Sequence, residues 1–299
     1  MYVVMGASGH TGAVVAKTLL GRGQQVRVVG RNPQHLQPLR TQGAEVAAAD
    51  ATDAAALKNA FKGADAAYVL IPSNVSSDDT RGYLNRVSDA ITAAVKDAGT
   101  RNVVALSSIG AELPSGTGPV VGLHNLEQKL NQLPSANVLY LRAGYFMENT
   151  LPQATAIRQM GSIAGPLRPD LKLAMIGTRD IGAAAADVLL HPTIRGKQTR
   201  ELLGPSDVSY NDVAAIIGNA IGQPDLKYIH LSDDQARGAL VQTGMSEAMA
   251  NLLLEMTAAL NAGIMRAREA RNSQNTTPTS YEAFAAEVFV PAYKQQTAA

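Results

Sequence analysis

Short apolar runs alternate with amphipathic helical patterns along the first half of the chain. The apolar runs predict buried strands over residues 2–6, 25–30, 44–50, 66–71, 102–108 and 137–144. The spacing between them predicts helices over residues 12–21, 53–62, 79–98 and 122–133, and a weaker helix over 33–42 that Pro38 interrupts. Continuous apolar strands joined by helices are typical of a parallel sheet covered on both faces. We therefore predict an α/β fold with a doubly wound parallel sheet of the Rossmann type.

The pattern changes after about residue 150. It predicts a helix over 179–192 with Asp180 as its N-cap. Beyond this helix it predicts a short strand over 200–205, a helix over 209–222 and a long helical stretch over 232–268. We expect a Rossmann domain over 1–152 and a smaller, mostly helical lobe over 153–299, and segment 176–204 could fold back onto the first domain.

Composition and charge narrow the classes of function. Hydrophobic residues make up 46% of the chain and charged residues 17%, so the chain can bury a substantial core. The net charge is +1 without basic blocks, which argues against direct nucleic-acid binding. The chain has no cysteine, and its five histidines are scattered, so we expect no metal site. Without a leader or a long apolar run, we expect no membrane span and a cytoplasmic protein.

Three glycines spaced three apart join the first strand to the first helix, in the stretch VMGASGHTG. Gly6 permits a tight turn, Gly9 lets backbone N–H groups approach a diphosphate, and Gly12 lets the helix pack closely on the strand. The N–H groups and dipole of the helix attract an anion to this loop. Three side chains can add hydrogen bonds: Ser8, His10 and Thr11. In this strand–turn–helix context, the glycines predict a dinucleotide site.

Residues that follow the next strands indicate which dinucleotide is bound. NAD sites usually have an acidic residue at the end of the second strand, where this chain has Arg31. A guanidinium binds a 2′-phosphate that a carboxylate would repel, so Arg31 favours NADP(H), unless it is only a solvated surface charge. Asp50, with Ala51 beside it, is placed to contact the adenine, although Asp50 could instead cap the next helix. Ile71 and Pro72 would line the part of the site that holds the adenosine and ribose.

Several longer motifs resemble the NmrA-like group of atypical short-chain dehydrogenases/reductases. They are LRAGYFMEN followed by RDIG, together with VRVVGRNP, LSSIGAE, LEQKL and the terminal TTPTSYEAFAAEVFVPAY. The resemblance implies a Rossmann domain that binds NAD(P) at the glycine loop, and a small C-terminal substrate lobe. Some members are reductases of quinones, azo dyes or triphenylmethane dyes. Others are redox-sensing regulators that bind the dinucleotide without turning it over.

The catalytic residues of short-chain dehydrogenases are only partly present. Such enzymes use a serine at the end of the fifth strand and a Tyr-x-x-x-Lys pair on the next helix. Ser107 fills the serine position, but the tyrosine and lysine positions fall near Pro119 and Leu123. His124 is the closest substitute and could hydrogen-bond the ribose or supply a proton. The alternative is an ordinary histidine on a helix face.

Residues after the sixth strand lie at the edge where such sheets bind substrates. We expect Gly144 and Phe146 to contact the cofactor, with Phe146 against the nicotinamide, and Tyr145 or Asn149 to contact substrate. Core packing and helix capping are the alternative roles. Four methionines near the long helical stretch could line an apolar pocket or simply pack the lobe: Met245, Met249, Met256 and Met265.

Quinones and azo compounds need less acid catalysis than ketones, because their products are stabilised anions or take protons readily from water. Hydride transfer to them can rely on proximity and orientation. We therefore predict an NADPH-dependent reductase of a small conjugated acceptor, with His124, Ser107 and Tyr145 at the reacting centre. The alternatives are a regulator that senses NAD(P) and, ranked last, an isomerase or epimerase. The sequence is compatible with a homodimer but does not determine the oligomeric state.

Overall fold

The computed structural model describes residues 1–295. Its strands are β1 (Tyr2–Met5), β2 (Val26–Gly30), β3 (Glu45–Ala48), β4 (Ala66–Val69), β5 (Asn102–Ser108), β6 (Asn137–Ala143), β7 (Tyr145–Phe146), β8 (Ile163–Gly165), β9 (Leu173–Ile176), β10 (Lys197–Leu202), β11 (Asp207–Val208) and β12 (Tyr228–His230).

The α-helices are α1 (His10–Gly21), α2 (Gln37–Arg40), α3 (Ala54–Phe61), α4 (Thr80–Ala98), α5 (Val121–Asn131), α6 (Gln153–Met160), α7 (Thr178–Leu190), α8 (Tyr210–Ile221), α9 (Asp233–Gln242), α10 (Glu247–Asn261), α11 (Tyr281–Phe284) and α12 (Val290–Gln295). Short 3-10 helices cover Pro33–Leu36, Gly118–Val120 and Met147–Thr150, and a π-helix covers Ala285–Phe289. No helix within residues 1–295 is both long enough and apolar enough to cross a membrane.

Seven strands of the described chain form one parallel sheet, in the order β10-β6-β5-β4-β1-β2-β3. Helices α1 and α7 cover one face, and α3, α4 and α5 cover the other. This is the doubly wound order, whose direction reverses between β1 and β4 and leaves a crevice at the carboxyl ends of those strands. The predicted fold class is confirmed, and the structure places the crevice where the glycine loop begins.

Strands β1 and β4 in the middle of the sheet carry no charged residue and are almost entirely apolar, because they pack against helices on both sides. Val3 and Met5 of β1 face α3, α4 and α5, whereas Val4 between them faces α1 and α7. All three are almost fully buried, and burying one such side chain stabilises the fold by about 1.5–3 kcal/mol. The continuous apolar runs of the sequence follow from this double burial.

Segment 176–204 lies against the Rossmann sheet. Helix α7 packs on α1, and β10 pairs in parallel with β6 along the edge of the sheet. The contact between the two helices is close, because a Cβ on Gly182 would lie 2.6 Å from the Cβ of Val14. Strand β10 begins three residues before the predicted strand at 200–205 and ends earlier. This segment therefore forms part of the layers that build the sheet.

The predicted N-cap of α7 is wrong. Gly177 occupies the N-cap position, and Asp180 lies in the first turn. The buried Asp180 carboxylate accepts hydrogen bonds from the backbone N–H of Thr279 at 3.0 Å and from its hydroxyl at 2.8 Å. Asp180 thus holds the extended C-terminal segment against the start of α7, a contact across almost 100 residues of chain that no local pattern indicates.

The long helical stretch predicted over 232–268 is divided into α9 and α10. Gly244 between them has a φ of +87°, a conformation that glycine favours and that ends α9. Ser246 then caps α10, and its hydroxyl oxygen accepts the N–H of Met249 at 3.1 Å. Helix α10, with α6, α8, α11 and α12, packs around a third core together with the small sheets β11-β9-β7 and β12-β8, and α9 packs on α10.

Candidate active site

The glycine loop joins β1 to α1 through close backbone contacts. Gly6 has a φ of +63°, and a Cβ there would lie 2.8 Å from Cδ2 of Leu70. Gly9 is the N-cap of α1, and its N–H donates to the Gly6 carbonyl at 2.9 Å. A Cβ on Gly12 would lie only 2.4 Å from the same carbonyl oxygen. No side chain caps α1, so the N–H groups of its first turn are open to an anion.

The polar side chains of this loop differ in exposure. Ser8 and His10 are exposed and accessible to a ligand, whereas Thr11 is buried. The Thr11 hydroxyl oxygen accepts a hydrogen bond from the Tyr68 hydroxyl at 3.0 Å, and burial raises the pKa of Tyr68, which keeps it a donor. Thr11 is thus held against β4, and its own hydroxyl proton remains available to another group.

Arg31 and Asp50 lie at the ends of β2 and β3, on the same edge of the sheet as the glycine loop. Both side chains are exposed. Asp50 accepts hydrogen bonds from the hydroxyl of Thr52 at 2.6 Å and from its N–H at 2.8 Å. These bonds lower the pKa of Asp50, and the nearby Arg31 guanidinium lowers it further. The alternative role of Asp50 as a helix cap is wrong, because Asp53 caps α3.

A cavity of about 430 Å³ opens beside this loop, at the carboxyl ends of β4, β5 and β6. Residues 70–75, 106–108 and 144–146 line it from the sheet, and three side chains of α10 line it from the C-terminal lobe. It therefore has the size of a small-molecule site, and none of its lining residues is charged. The structure brings six of the predicted residues together here: Ile71, Pro72, Ser107, Gly144, Tyr145 and Phe146.

Other predicted residues lie around the cavity. Ala51 is buried next to Asp50 and does not line it. Asn149 lines it, as do Met249 and Met256 of α10. Met265 lines a neighbouring cavity, and Met245 precedes α10 and lines neither of the two.

The turn after β6 holds Tyr145 at the cavity wall. A Cβ on Gly144 would lie 2.0 Å from the carbonyl oxygen of Ala174 in β9, so only glycine fits this crossing. The Tyr145 hydroxyl lies 3.2 Å from that of Tyr210, with the rings edge to face and their centroids 6.4 Å apart. Burial raises the pKa of Tyr145, so its phenol stays protonated at neutral pH.

A carboxylate that sequence reasoning missed holds Ser107. The Ser107 hydroxyl donates to Oε1 of the buried Glu127 at 2.6 Å. Arg142, opposite Ser107 in β6, donates to both oxygens of Glu127, at 3.1 and 2.7 Å, and this bonding raises the pKa of Arg142. Because the hydroxyl proton is engaged in the hydrogen bond to Glu127, the Ser107 oxygen is left as a hydrogen-bond acceptor. The sequence did contain one indication that this carboxylate is buried: Glu127 lies on the apolar face of α5, between Leu126 and Leu130, which are both buried.

His124 does not line the cavity, whereas Pro119 and Leu123 do. The Nδ1–H group of His124 donates a hydrogen bond to the carbonyl oxygen of Ala111 at 2.9 Å. The two positions at which the sequence placed the missing tyrosine and lysine are thus apolar parts of the cavity wall. A role for His124 at the reacting centre stays a prediction.

Comparison with known proteins places this arrangement among NAD(P)-dependent reductases. The model of the NmrA-like family matches residues 2–285. An NAD(P)H azoreductase of Xenophilus azovorans is 30% identical over 258 residues, which are 86% of each chain. A (4-alkanoyl-5-oxo-2,5-dihydrofuran-3-yl)methyl phosphate reductase of Streptomyces griseus is 30% identical over 241 residues, or 81% of this chain and 80% of the relative. The structure is also similar to the crystal structure of an NADPH-dependent quinone oxidoreductase of Escherichia coli in complex with NADPH. The two sequences are 25% identical, the superposition covers 97% of this chain and 100% of the oxidoreductase chain, and the TM-score is 0.80.

Proposed function

The chain belongs to the NmrA-like family, and on that basis we propose that it is an NADP(H)-dependent reductase of a small, flat, conjugated acceptor such as a quinone or an azo compound. The observation that carries this proposal is the uncharged cavity of about 430 Å³ beside the glycine loop. Leu70 connects the two, because it contacts Gly6 and also lines the cavity. The azoreductase and the quinone oxidoreductase among the similar proteins support the same class of acceptor.

The residues around the glycine loop fit NADP(H). Gly9 leaves the N-terminus of α1 without a Cβ, so a diphosphate can approach the N–H groups of its first turn, while Gly6 and Gly12 allow the tight turn and the close packing behind it. Exposed Ser8 and His10 can bond to the phosphates, and Thr11 has one hydroxyl proton to add. Arg31 would bind the 2′-phosphate, and the Asp50 carboxylate, beside Ala51, would accept a hydrogen bond from the adenine amine. When bound, NADPH supplies the hydride for the reduction.

The cavity residues would position the acceptor. Phe146 and Tyr145 give an aromatic wall next to Ile71 and Pro72, and a flat conjugated ring would pack against it. The apolar lining excludes water from the reacting ring. Holding the two reactants in one orientation supplies much of the rate acceleration in such a reaction, without a strong acid.

The polar groups of the cavity favour an acceptor that needs little acid catalysis. The Ser107 hydroxyl donates its proton to the hydrogen bond with Glu127 at 2.6 Å, so its oxygen can accept a hydrogen bond from an acceptor molecule but does not donate one to it. Tyr145 stays protonated and, like Asn149, is a donor at the wall. A reduced quinone or azo compound is a stabilised anion or takes protons from water. The donors present are thus sufficient for these acceptors, whereas a ketone would require the missing tyrosine.

We expect the purified protein to oxidise NADPH when a quinone or an azo dye is added, as followed by the absorbance of the reduced nicotinamide. Phe146→Ala should lower kcat/KM about tenfold or more, because it removes an aromatic wall that orients the acceptor. The Kd for NADPH should change by less than about twofold, because the diphosphate and 2′-phosphate contacts remain.

The exposed Met160 lines neither cavity, so Met160→Ala is the control and should leave turnover unchanged. Tight NADPH binding without turnover of any acceptor would contradict the reductase. It would favour the alternative that the apolar Pro119 and Leu123 positions support, a regulator that binds NADP(H) as a redox signal.

Arg31→Ala is expected to weaken NADPH binding about 10- to 100-fold, since a charge-assisted hydrogen bond contributes about 1.5–3 kcal/mol. NADH binding should not change, because NADH has no 2′-phosphate. Isothermal titration with both coenzymes measures the difference, and Arg40→Ala, at another exposed arginine, is the matched control. A wild-type protein that binds NADH more tightly than NADPH would show that this role of Arg31 is wrong.

A further inference from the structure

A second cavity, of about 370 Å³, adjoins the proposed acceptor cavity. Four residues line both cavities and form their shared wall: Ser108, Gly144, Tyr145 and Met256. The rest of its lining comes from Ile109 and Ala143, from residues 171–174, from Asp207, and from the end of α10 and the segment that follows it. A molecule bound beside Tyr145 in the first cavity would therefore have the second cavity next to it.

The two cavities differ in charge. No charged residue lines the first, whereas Lys172, Asp207 and Arg266 line the second. Lys172 is paired with Asp212 at 2.5 Å, and Asp207 is paired with Arg271. Arg266 is exposed and has no hydrogen-bond or ion-pair partner among residues 1–295. The second cavity thus carries one uncompensated positive charge, on Arg266.

The remaining walls of the second cavity are mostly apolar. They include Leu173, Leu260 and Met265, which are all buried in the C-terminal lobe. An apolar lining with one free guanidinium suits a short hydrocarbon arm that ends in an anion. Arginine suits this role because its planar fork binds carboxylate, sulfonate or phosphate oxygens with two parallel hydrogen bonds.

We propose that the second cavity holds an anionic substituent of the acceptor, and that Arg266 binds it. This inference rests on the proposed reductase function and narrows its substrate class to conjugated acceptors with an acidic side chain. The ring of such an acceptor lies in the uncharged cavity, its arm passes the shared wall at Tyr145 and Met256, and its anion meets Arg266.

A matched pair of ligands tests the proposal. One is a naphthoquinone with a butanoic acid side chain, and the other is the methyl ester of the same acid. Both are titrated by calorimetry into the full chain saturated with NADP⁺, so that binding is measured without hydride transfer. The acid is expected to bind about tenfold or more tightly than the ester, because it gains a charge-assisted pair with Arg266.

The variants assign this preference to a residue. Arg266→Ala should remove it and leave binding of the ester unchanged, while Arg266→Lys should retain part of it. Arg22→Ala, at an exposed arginine at the far end of α1, should keep the full preference. Equal binding of acid and ester by the wild-type protein, or a preference that survives in Arg266→Ala, would overturn the anion site.

Turnover of the same two ligands with NADPH tests the reductase separately. If the acid binds through Arg266 but no NADPH is oxidised, the reductase is refuted and the anion site stands. If both ligands are reduced and bind equally, the reductase stands and the anion site is refuted.

Discussion

Gly9→Ala is expected to weaken NADPH binding by about 100-fold or more and to cost at most about 1 kcal/mol of stability. Gly9 has a φ of −97° and a ψ of 178°, which alanine adopts readily. Its Cβ would lie 3.3 Å from the Gly6 carbonyl oxygen, so the loop needs to shift by only a few tenths of an ångström. The added methyl group would instead occupy the space where a diphosphate meets the first turn of α1, and losing two charge-assisted hydrogen bonds of about 1.5–3 kcal/mol each gives this effect.

Two further glycine variants separate binding from folding. Gly21→Ala, at the other end of α1, meets nothing within 4 Å and should bind NADPH normally. Gly12→Ala should lose both binding and stability, because its Cβ would lie 2.4 Å from backbone oxygen. Isothermal titration gives the affinities, and urea unfolding gives the free energies. Normal NADPH affinity in a folded Gly9→Ala protein would show that the diphosphate does not lie at this loop.

Glu127→Ala is expected to lower the free energy of unfolding by about 3–5 kcal/mol, the usual cost of leaving one member of a buried ion pair without its partner. Glu127 is 4% exposed and joins Ser107 of β5, Arg142 of β6 and helix α5. Without it, Arg142 keeps only Glu112, at 3.3 Å, and Ser107 loses its acceptor. Denaturation in urea measures the loss.

Glu45→Ala is the matched control. Arg27 donates two hydrogen bonds to Glu45, at 2.8 and 3.1 Å, in the same forked geometry that Arg142 uses with Glu127. The Glu45 side chain is 54% exposed, however, so water replaces much of what the pair contributes and the loss should be below about 1 kcal/mol. Equal losses in the two variants would show that burial of the Glu127 cluster does not matter for stability.

Local sequence was sufficient to predict the framework of the site. Apolar runs identified all of the first six strands of the sheet, because strands covered on both faces must be apolar at nearly every position. The three glycines predicted the turn before α1. Gly6 has a positive φ, and at both Gly6 and Gly12 a Cβ would lie too close to neighbouring atoms. Since parallel strands end at one edge, the predicted residues after β4, β5 and β6 were expected near one another, and the cavity contains them.

Other features depend on contacts between distant segments. The Glu127 carboxylate meets Ser107 and Arg142 only when α5 packs across two neighbouring strands. Asp180 bonds to Thr279 rather than capping α7, because the C-terminal segment returns to that helix. Single-residue patterns miss such pairs, because each partner alone resembles an ordinary polar residue on a helix or a strand.

The sequence by itself therefore predicted the parallel sheet and the glycine turn before α1, and it placed Arg31 at the end of β2, since periodicity and glycine stereochemistry act over a few residues. Only the folded chain brings α10 over the sheet to close the cavity of about 430 Å³, and only it leaves Arg266 without a partner among residues 1–295 at the neighbouring cavity. The physical reason is that the charge balance and shape of a cavity depend on which distant side chains the packing brings together.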